Sequence, residues 1–427
     1  MIGRDGEVAS AARASARGSA HGSAGAGAAA LERLRTVGVD PLSELAAVKE
    51  RTGLMAVGYF DSYLPEELIM AHGLVPYRVT VSGRDDVRSS EFIQGYACPA
   101  ARDLLEQALR GDLSLLDGVL FTRYCDSLRG VFAVWDSEKL SPFVDFVRYP
   151  TVVDTSTAVG YLARELQEVS VRMAQALDAP LDEQRLLDSI VACDRKRALV
   201  AELAARRAAR DLPLAGADYL AVLVAATTML PDEFTATLST LLEHPPTGEP
   251  GDAVPVVLSG TTFDNIALAA AVESAGLYLA ADDLSTGSRW YGVRVGASLA
   301  SIGGAQAATA AGAGGREAGV PTYTDPWEAL AHAYLSKPPC SVKEPSSPRA
   351  DHLVGMVRDS GAEGVLFYLT KYCDSEQVEW PFIRDRLEQE GIPVVMVEGD
   401  QKGEGSGALS TRLEAFREQF ELGGDLS

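Results

Sequence analysis

Between Gly58 and about Asp154 the apolar positions change period from one short stretch to the next. "PEELIMAHG" has helical spacing and stops at Gly73, a residue suited to the left-handed position that ends a helix. "LVPYRVTV" reads as a strand, "ARDLLEQALRG" as a helix stopping at Gly111, and "LDGVLFTRY" as a strand. The last is a continuous apolar run, as expected of a strand buried on both faces of a parallel sheet. From Thr155 to His244 the spacing is helical almost throughout. Alternation then resumes: "AVPVVLSG" (strand), "FDNIALAAAVESAG" (helix), "LYLAADD" (strand), "HLVGMVRDSG" (helix), "EGVLFYLTKY" (strand), "WPFIRDRLEQEG" (helix) and "IPVVMVEGD" (strand). Strands alternating with helices of about ten residues predict βαβ units. The expected fold is α/β, with two Rossmann-like parallel-sheet domains related by an internal repeat, a helical bridge, and a site in the cleft. Expected boundaries are a disordered tail over 1–30, an N-terminal domain over 31–154, a bridge over 155–245 and a C-terminal domain over 246–427.

Composition adds limits. The 427 residues are 47% hydrophobic and 23% charged, with a formal net charge of −22. Such a charge repels nucleic acid. No apolar run reaches the roughly 18 residues of a membrane span; the longest, Leu220 to Leu230, fits a buried helix. The Ala/Gly/Ser-rich first 30 residues lack the apolar core of a secretory signal, and structure is expected from near Ala29. The stretch from Ser301 to Gly319 is expected to be a flexible loop. Five cysteines in a chain of this length do not form a disulfide framework, so a cytoplasmic setting is expected.

Two of those cysteines end matching strands. "LDGVLFTRYCDS" stops at Cys125 and "AEGVLFYLTKYCDS" at Cys373. Ligands of open α/β sheets bind beyond the carboxyl ends of the strands. Cys98 and Cys340 each precede the helix and strand that lead to these tetrads, so the repeat predicts that Cys340 is equivalent to Cys98. Thiolates gathered from two domains suit an iron–sulfur cluster. Zinc is the competing metal, but the close C-x₂-C pair of structural zinc sites is absent from the sequence. Cys193, in the helical segment, reads as a small buried hydrophobe.

With these pieces in place the chain resembles the 2-hydroxyacyl-CoA dehydratase family, which includes the subunits of ATP-dependent benzoyl-CoA reductases. The matching stretches, in order from Gly58 to Phe416, are "GYFDSYLPEELIMAHGLVPYRV", Cys98 with Pro99, "LFTRYCDS", "DDLSTGSR", "DPWEALAHAYLSKPPC", "LTKYCDS", "GIPVVMVEGD" and "STRLEAF". The departures are the N-terminus, the loop after Ser301 and "EGDQ". The resemblance implies a [4Fe-4S] cluster held by Cys98, Cys125 and Cys373, with Cys340 beside it. It also implies a related second subunit or a homodimer, and a separate ATP-hydrolysing iron–sulfur activator. The implied reaction is radical elimination of water from a 2-hydroxyacyl-CoA. A reductase of the benzoyl-CoA type and a non-catalytic electron-transfer subunit are the alternatives.

Other residues have weaker claims. Glu67 matches a recurrent acidic position and is the expected acid or base, against a plain first-turn carboxylate. Asp126 and Asp374 are expected to cap the following helices. Arg123, Arg129 and Lys371 flank the expected site and could offset its negative charge or bind substrate phosphates. "GEGSGALSTRLEAF" lacks the spacing of a phosphate loop, and its Thr411 and Glu414 read as a capping box. The five histidines receive no role.

Overall fold

The computed structural model describes residues 25–84, 87–122, 125–248, 251–261, 264–300, 321–338, 340–344, 348–400 and 407–424. Arg123, the Ser301–Gly319 stretch and residues 1–24 of the expected tail lie outside these residues. The chain builds two four-stranded sheets. The first comprises β1 (Ala56–Tyr59), β2 (Val75–Arg78), β3 (Gly118–Thr122) and β4 (Phe143–Val147), ordered β2-β1-β3-β4. The second comprises β5 (Val254–Gly260), β6 (Leu277–Asp283), β7 (Gly364–Thr370) and β8 (Val394–Gly399), ordered β6-β5-β7-β8. Every pairing is parallel. The two orders are the same once the second set is renumbered, so the expected α/β repeat is present as topology.

The matched words sit at matched places. β3 and β7 are buried along their whole length, as continuous apolar runs require. Each opens on a glycine that close packing demands. A Cβ on Gly118 would stand 2.8 Å from the Phe143 ring, and one on Gly364 would stand 2.9 Å from the Pro393 carbonyl oxygen. Tyr59 pairs with Leu120 across β1 and β3, and Gly260 with Tyr368 across β5 and β7. Two residues further on, β3 ends at Thr122 and β7 at Thr370, three residues before Cys125 and Cys373. The strands β1 and β4 are not separately legible in the sequence: β1 has four residues, and β4 interrupts its apolar run with Asp145.

Helices Ala158–Leu177, Glu183–Ala208, Gly216–Ala226 and Pro231–Glu243 follow the first sheet. The run from Leu220 begins in the third of these, whose residues are almost all buried, and ends at Leu230, the cap of the fourth. A helix over residues 25–39 starts before Ala29, in an Ala-rich stretch that favours helix. Its Leu31, Leu34 and Val37 join the core beneath the second sheet with Val256 and Leu258. Conversely, the late helix Pro326–Leu335 packs Trp327, Leu330 and Tyr334 into the core of the first sheet with Val57, Tyr59 and Leu120. A buried ion pair, Arg78 to Asp264 at 2.9 Å, ties the end of β2 to the segment after β5. Among the described residues no helix is long and apolar enough to cross a membrane.

Candidate functional site: a cysteine-lined cavity between the sheets

The strand ends of both sheets open on one cavity of about 380 Å³, within the ~300–1,000 Å³ typical of ligand sites. Phe60, Asp61, Cys98 and Cys125 line it from the first half, and Thr261, Thr370, Tyr372 and Cys373 from the second. Phe60 follows β1 and Thr261 follows β5 at corresponding registers, so the repeat contributes equivalent walls. Three of the five cysteines are thus gathered by elements of both sheets.

Each of the three is the N-cap residue of a helix. Cys98 precedes Pro99–Arg110, Cys125 precedes Asp126–Ser137 and Cys373 precedes Asp374–Gln389. None closes a regular cap hydrogen bond through its side chain. Even so, the amides of Ala100 and Ala101 favour the Cys98 thiolate, those of Leu128 and Ser127 favour that of Cys125, and that of Glu376 favours that of Cys373. Three helix N-termini therefore bring partial positive charge to the cavity. Burial works the other way. It raises the thiol pKa of Cys98, raises that of Cys125 further, and pushes Cys373 up to about 12, where Glu376 adds its charge. Cys125 feels both other cysteines electrostatically, as close neighbours do. Left to themselves these are protonated thiols; a bound cation or cluster would be needed to hold them as thiolates.

That donor set can be tested against the implied cofactor. Three sulfurs in one cavity, from separate helix starts, match the ligand chemistry of an iron–sulfur cluster. Among the described residues no three His, Cys, Asp or Glu side chains form a site for a single metal ion. The chemistry of this donor set fits such a cluster.

The other expected residues fall elsewhere. Cys340 is buried in the core of the first sheet and is not among the cavity-lining residues. Its predicted equivalence to Cys98 does not hold: Cys98 directly caps its helix, whereas the corresponding helix Pro348–Ser360 begins well after Cys340. Cys193 is fully buried with its thiol against the Met70 sulfur.

Glu67 lies in the Glu66–Ala71 helix and does not line the cavity. It is neither solvated nor free: Arg197 donates to it at 2.7 Å and the Tyr334 hydroxyl at 2.9 Å. Neighbouring Glu66 takes Lys196 at 2.5 Å and the Trp290 indole at 2.7 Å. Burial pushes Glu66 up, but Lys196 and Arg197 outweigh it and hold the carboxylate below its ordinary range.

Asp126 does not cap its helix. It occupies the first helical position, is exposed, and pairs with Arg129 at 2.9 Å, while Cys125 occupies the cap. Asp374 likewise follows a capping cysteine. Lys371 faces Asp400 at 3.6 Å. Thr411 lies inside the Gly407–Gly424 helix and donates back to the Gly407 carbonyl, so the capping-box reading fails.

Three features carry no signal in the sequence pattern. Tyr372, just before Cys373, lines the cavity with φ of 60°, a region costly for a bulky side chain and often found at functional sites. Asp61, within the matched stretch "GYFDSY", lines the cavity and is almost wholly buried. Arg349 sits at the centre of a buried charge cluster, with Asp283 at 3.1 Å, Glu376 at 2.9 Å and Glu379 at 2.5 Å.

Residues 61–420 match the family model described as 2-hydroxyglutaryl-CoA dehydratase, D-component. The (R)-2-hydroxyglutaryl-CoA dehydratase subunit beta of Acidaminococcus fermentans is 30% identical over 401 residues, covering 92% of this chain and 99% of the relative. The lactoyl-CoA dehydratase subunit beta of Anaerotignum propionicum is 25% identical, with the same coverage of 92% and 99%. A benzoyl-CoA reductase subunit of Thauera aromatica is 22% identical over 79% of this chain and 84% of its own length. From the span of the family match and the near-complete coverage of the first relative, the chain belongs to the 2-hydroxyglutaryl-CoA dehydratase D-component family.

Proposed function

We propose that this chain is the iron–sulfur subunit of a 2-hydroxyacyl-CoA dehydratase, a hydro-lyase, with Cys98, Cys125 and Cys373 as the ligands of a [4Fe-4S] cluster. The observation that carries this reading is the meeting of those three thiols, each at a helix start, in one cavity between the two sheets. When bound, such a cluster would be held by Cys98, Cys125 and Cys373 and would supply single-electron and Lewis-acid chemistry to the cavity. The chain's own residues supply the setting. The helix N-termini offset negative charge. Phe60, Val79, Val81 and Leu104 give the cavity apolar walls that exclude water. Glu67, the sequence's candidate acid or base, enters as a positioning group: it holds Arg197 and Tyr334 and so locks the bridging helix Glu183–Ala208 against the first domain.

The reaction class follows from its chemistry. The β-hydrogen of a 2-hydroxyacyl thioester is not acidified by the carbonyl, so polar elimination has no stabilised carbanion to pass through. One added electron gives a ketyl radical that expels the 2-hydroxyl, and the β-hydrogen then becomes acidic. Relatives named as beta subunits support a related second subunit as partner. A separate ATP-hydrolysing activator would deliver the electron. The test is anaerobic reconstitution followed by visible spectroscopy, iron and sulfide analysis, and assay of the assembled enzyme with (R)-2-hydroxyglutaryl-CoA. Brown protein with about four irons per chain and formation of the enoyl thioester is the expected result. Colourless protein with stoichiometric zinc would overturn it, and ATP consumed in proportion to product would redirect it to a reductase.

A further inference from the structure

We propose that Glu376 is a positioning residue that acts on the cluster through Cys373: its buried negative charge, beside that one ligand and not the others, holds the reduction potential low. This rests on the cluster reading above.

The two tetrads are identical through Cys-Asp-Ser and part at the next residue, which is Leu128 in the first half and Glu376 in the second. Each is the third residue after a capping cysteine, and each lends its backbone amide to that cysteine's thiolate. Helix side chains tilt toward the N-terminus, so each lies over the turn that carries its cysteine. Leu128 sits in an apolar core. Glu376 is 0% exposed. A carboxylate thus occupies, beside Cys373, the place that a leucine occupies beside Cys125.

That carboxylate has no capping duty. In a capping box a glutamate at this position reaches back to the amide of the cap residue. The Cys373 amide instead donates to the Thr370 carbonyl at 3.1 Å, and Arg349 takes one Glu376 oxygen at 2.9 Å. The other oxygen is buried with no hydrogen-bond partner among the described residues. Such an oxygen is costly to bury, and the first half shows that the helix packs with leucine there. Two guanidinium groups, Arg289 and Arg349, face three carboxyl groups, Asp283, Glu376 and Glu379. The carboxyl groups outnumber their cations, and of the two on the Cys373 helix Glu376 stands nearer the cysteine in sequence. Cys373 feels its charge.

Charge in a low-dielectric interior is weakly screened, and the net charge around a cluster is one of the factors that set its potential. The electron count is simple. A one-electron donor of the iron–sulfur class loses an electron and the bound cluster gains it, with no bond made or broken and no proton moved. Negative charge beside a ligand opposes that gain and favours passing the electron on.

The test is an anaerobic redox titration of the reconstituted full chain, followed by visible and electron paramagnetic resonance spectra. Glu376→Gln keeps the side chain's size and removes its charge, while Arg349 retains Asp283 and Glu379. This variant is expected to hold the parental iron content. Its equilibrium should shift toward the reduced form by about tenfold, which for one electron is about 59 mV more positive. Glu376→Asp, which keeps the charge, should titrate with the parent. Glu379→Gln, three residues further along the helix, should shift the equilibrium less than Glu376→Gln. An unchanged potential in Glu376→Gln would overturn the proposal, as would equal shifts in Glu376→Gln and Glu379→Gln. A shift in Glu376→Asp as large as in Glu376→Gln, or loss of iron from Glu376→Gln, would make the residue structural and overturn it too. A parent that takes up no iron and sulfide would overturn the cluster reading, and this inference with it.

Discussion

The helix after β3 lies on its sheet through Leu128, Val131 and Trp135, all buried in an apolar core. Its counterpart after β7 carries Glu376, Glu379 and Ile383 at the same offsets from the cysteine, and the two glutamates are just as buried. The first half thus anchors its cysteine-bearing helix by hydrophobic packing; the second packs Ile383 and Leu387 in its core and adds Arg349, which joins that helix to Asp283 on β6. Identical topology therefore tolerates opposite chemistry underneath, provided each buried charge has a partner. What the repeat preserves is the line of glycine, strand, threonine and cysteine. That line is what places two thiols in one cavity.

The comparison can be broken most severely at the thiols. Cys98→Ser, Cys125→Ser and Cys373→Ser are each expected to lose most of the iron after anaerobic reconstitution, while Cys340→Ser and Cys193→Ser retain it. Iron retained by Cys373→Ser but lost by Cys125→Ser would show that the second half does not share the site.

Arg349→Met probes the difference in anchoring. Three buried carboxylates would lose their common cation, and denaturant unfolding should show a loss of about 3–5 kcal/mol near pH 7. The parent's acid side carries a sign that can be worked out. Burial pushes Asp283 up, but Arg289 and Arg349 hold it below the ordinary range. Its contribution is therefore full above the unfolded value of roughly 3.9 and lost as pH falls through the lower folded value. In Arg349→Met, Asp283 keeps Arg289 while Glu376 and Glu379 lose their cation and should be protonated more readily, so the gap between variant and parent narrows as pH falls. A gap independent of pH would mean that Arg349 acts by packing alone.

A smaller effect separates the two strand glycines. Gly364→Ala must push against a backbone carbonyl, whereas Gly118→Ala meets a phenylalanine side chain. Losses of about 1–3 kcal/mol are expected, greater for Gly364→Ala. Equal losses in thermal or denaturant unfolding would argue that both sites relax alike. Smallest of all, Asp126→Ala should change stability by no more than about 0.5 kcal/mol, since its side chain is exposed. A loss near 1 kcal/mol would restore the capping role the structure denies it.

Local pattern alone determined the α/β class, the all-helical middle, the matched strands β3 and β7 and the placing of Cys125 and Cys373 at their ends. These are legible because a strand buried on both faces must be a continuous apolar run, and because a helix stop such as Gly73, Gly111 or Gly276 needs a residue that accepts positive φ. Cys98 is named with them by family resemblance, and the structure lines the same cavity with it. Tertiary structure decided what spacing could not encode. The similar spacing of Cys340 and Cys98 suggests equivalence, but the chain ahead of β7 takes a longer path and buries Cys340 in the first sheet's core. Glu67 reads in the sequence as an acid or base, or else a plain first-turn carboxylate, because its partners, Arg197 and Tyr334, lie 130 and 267 residues away. Asp61 is inconspicuous within a matched stretch because the charges of Lys337 and Lys343 reach it from beyond residue 330. The helix over residues 25–39 packs beneath the second sheet while Pro326–Leu335 packs against the first, so each core is completed by chain from the other end of the sequence. Periodicity records which face of a segment is buried; it carries no record of which distant segment covers it.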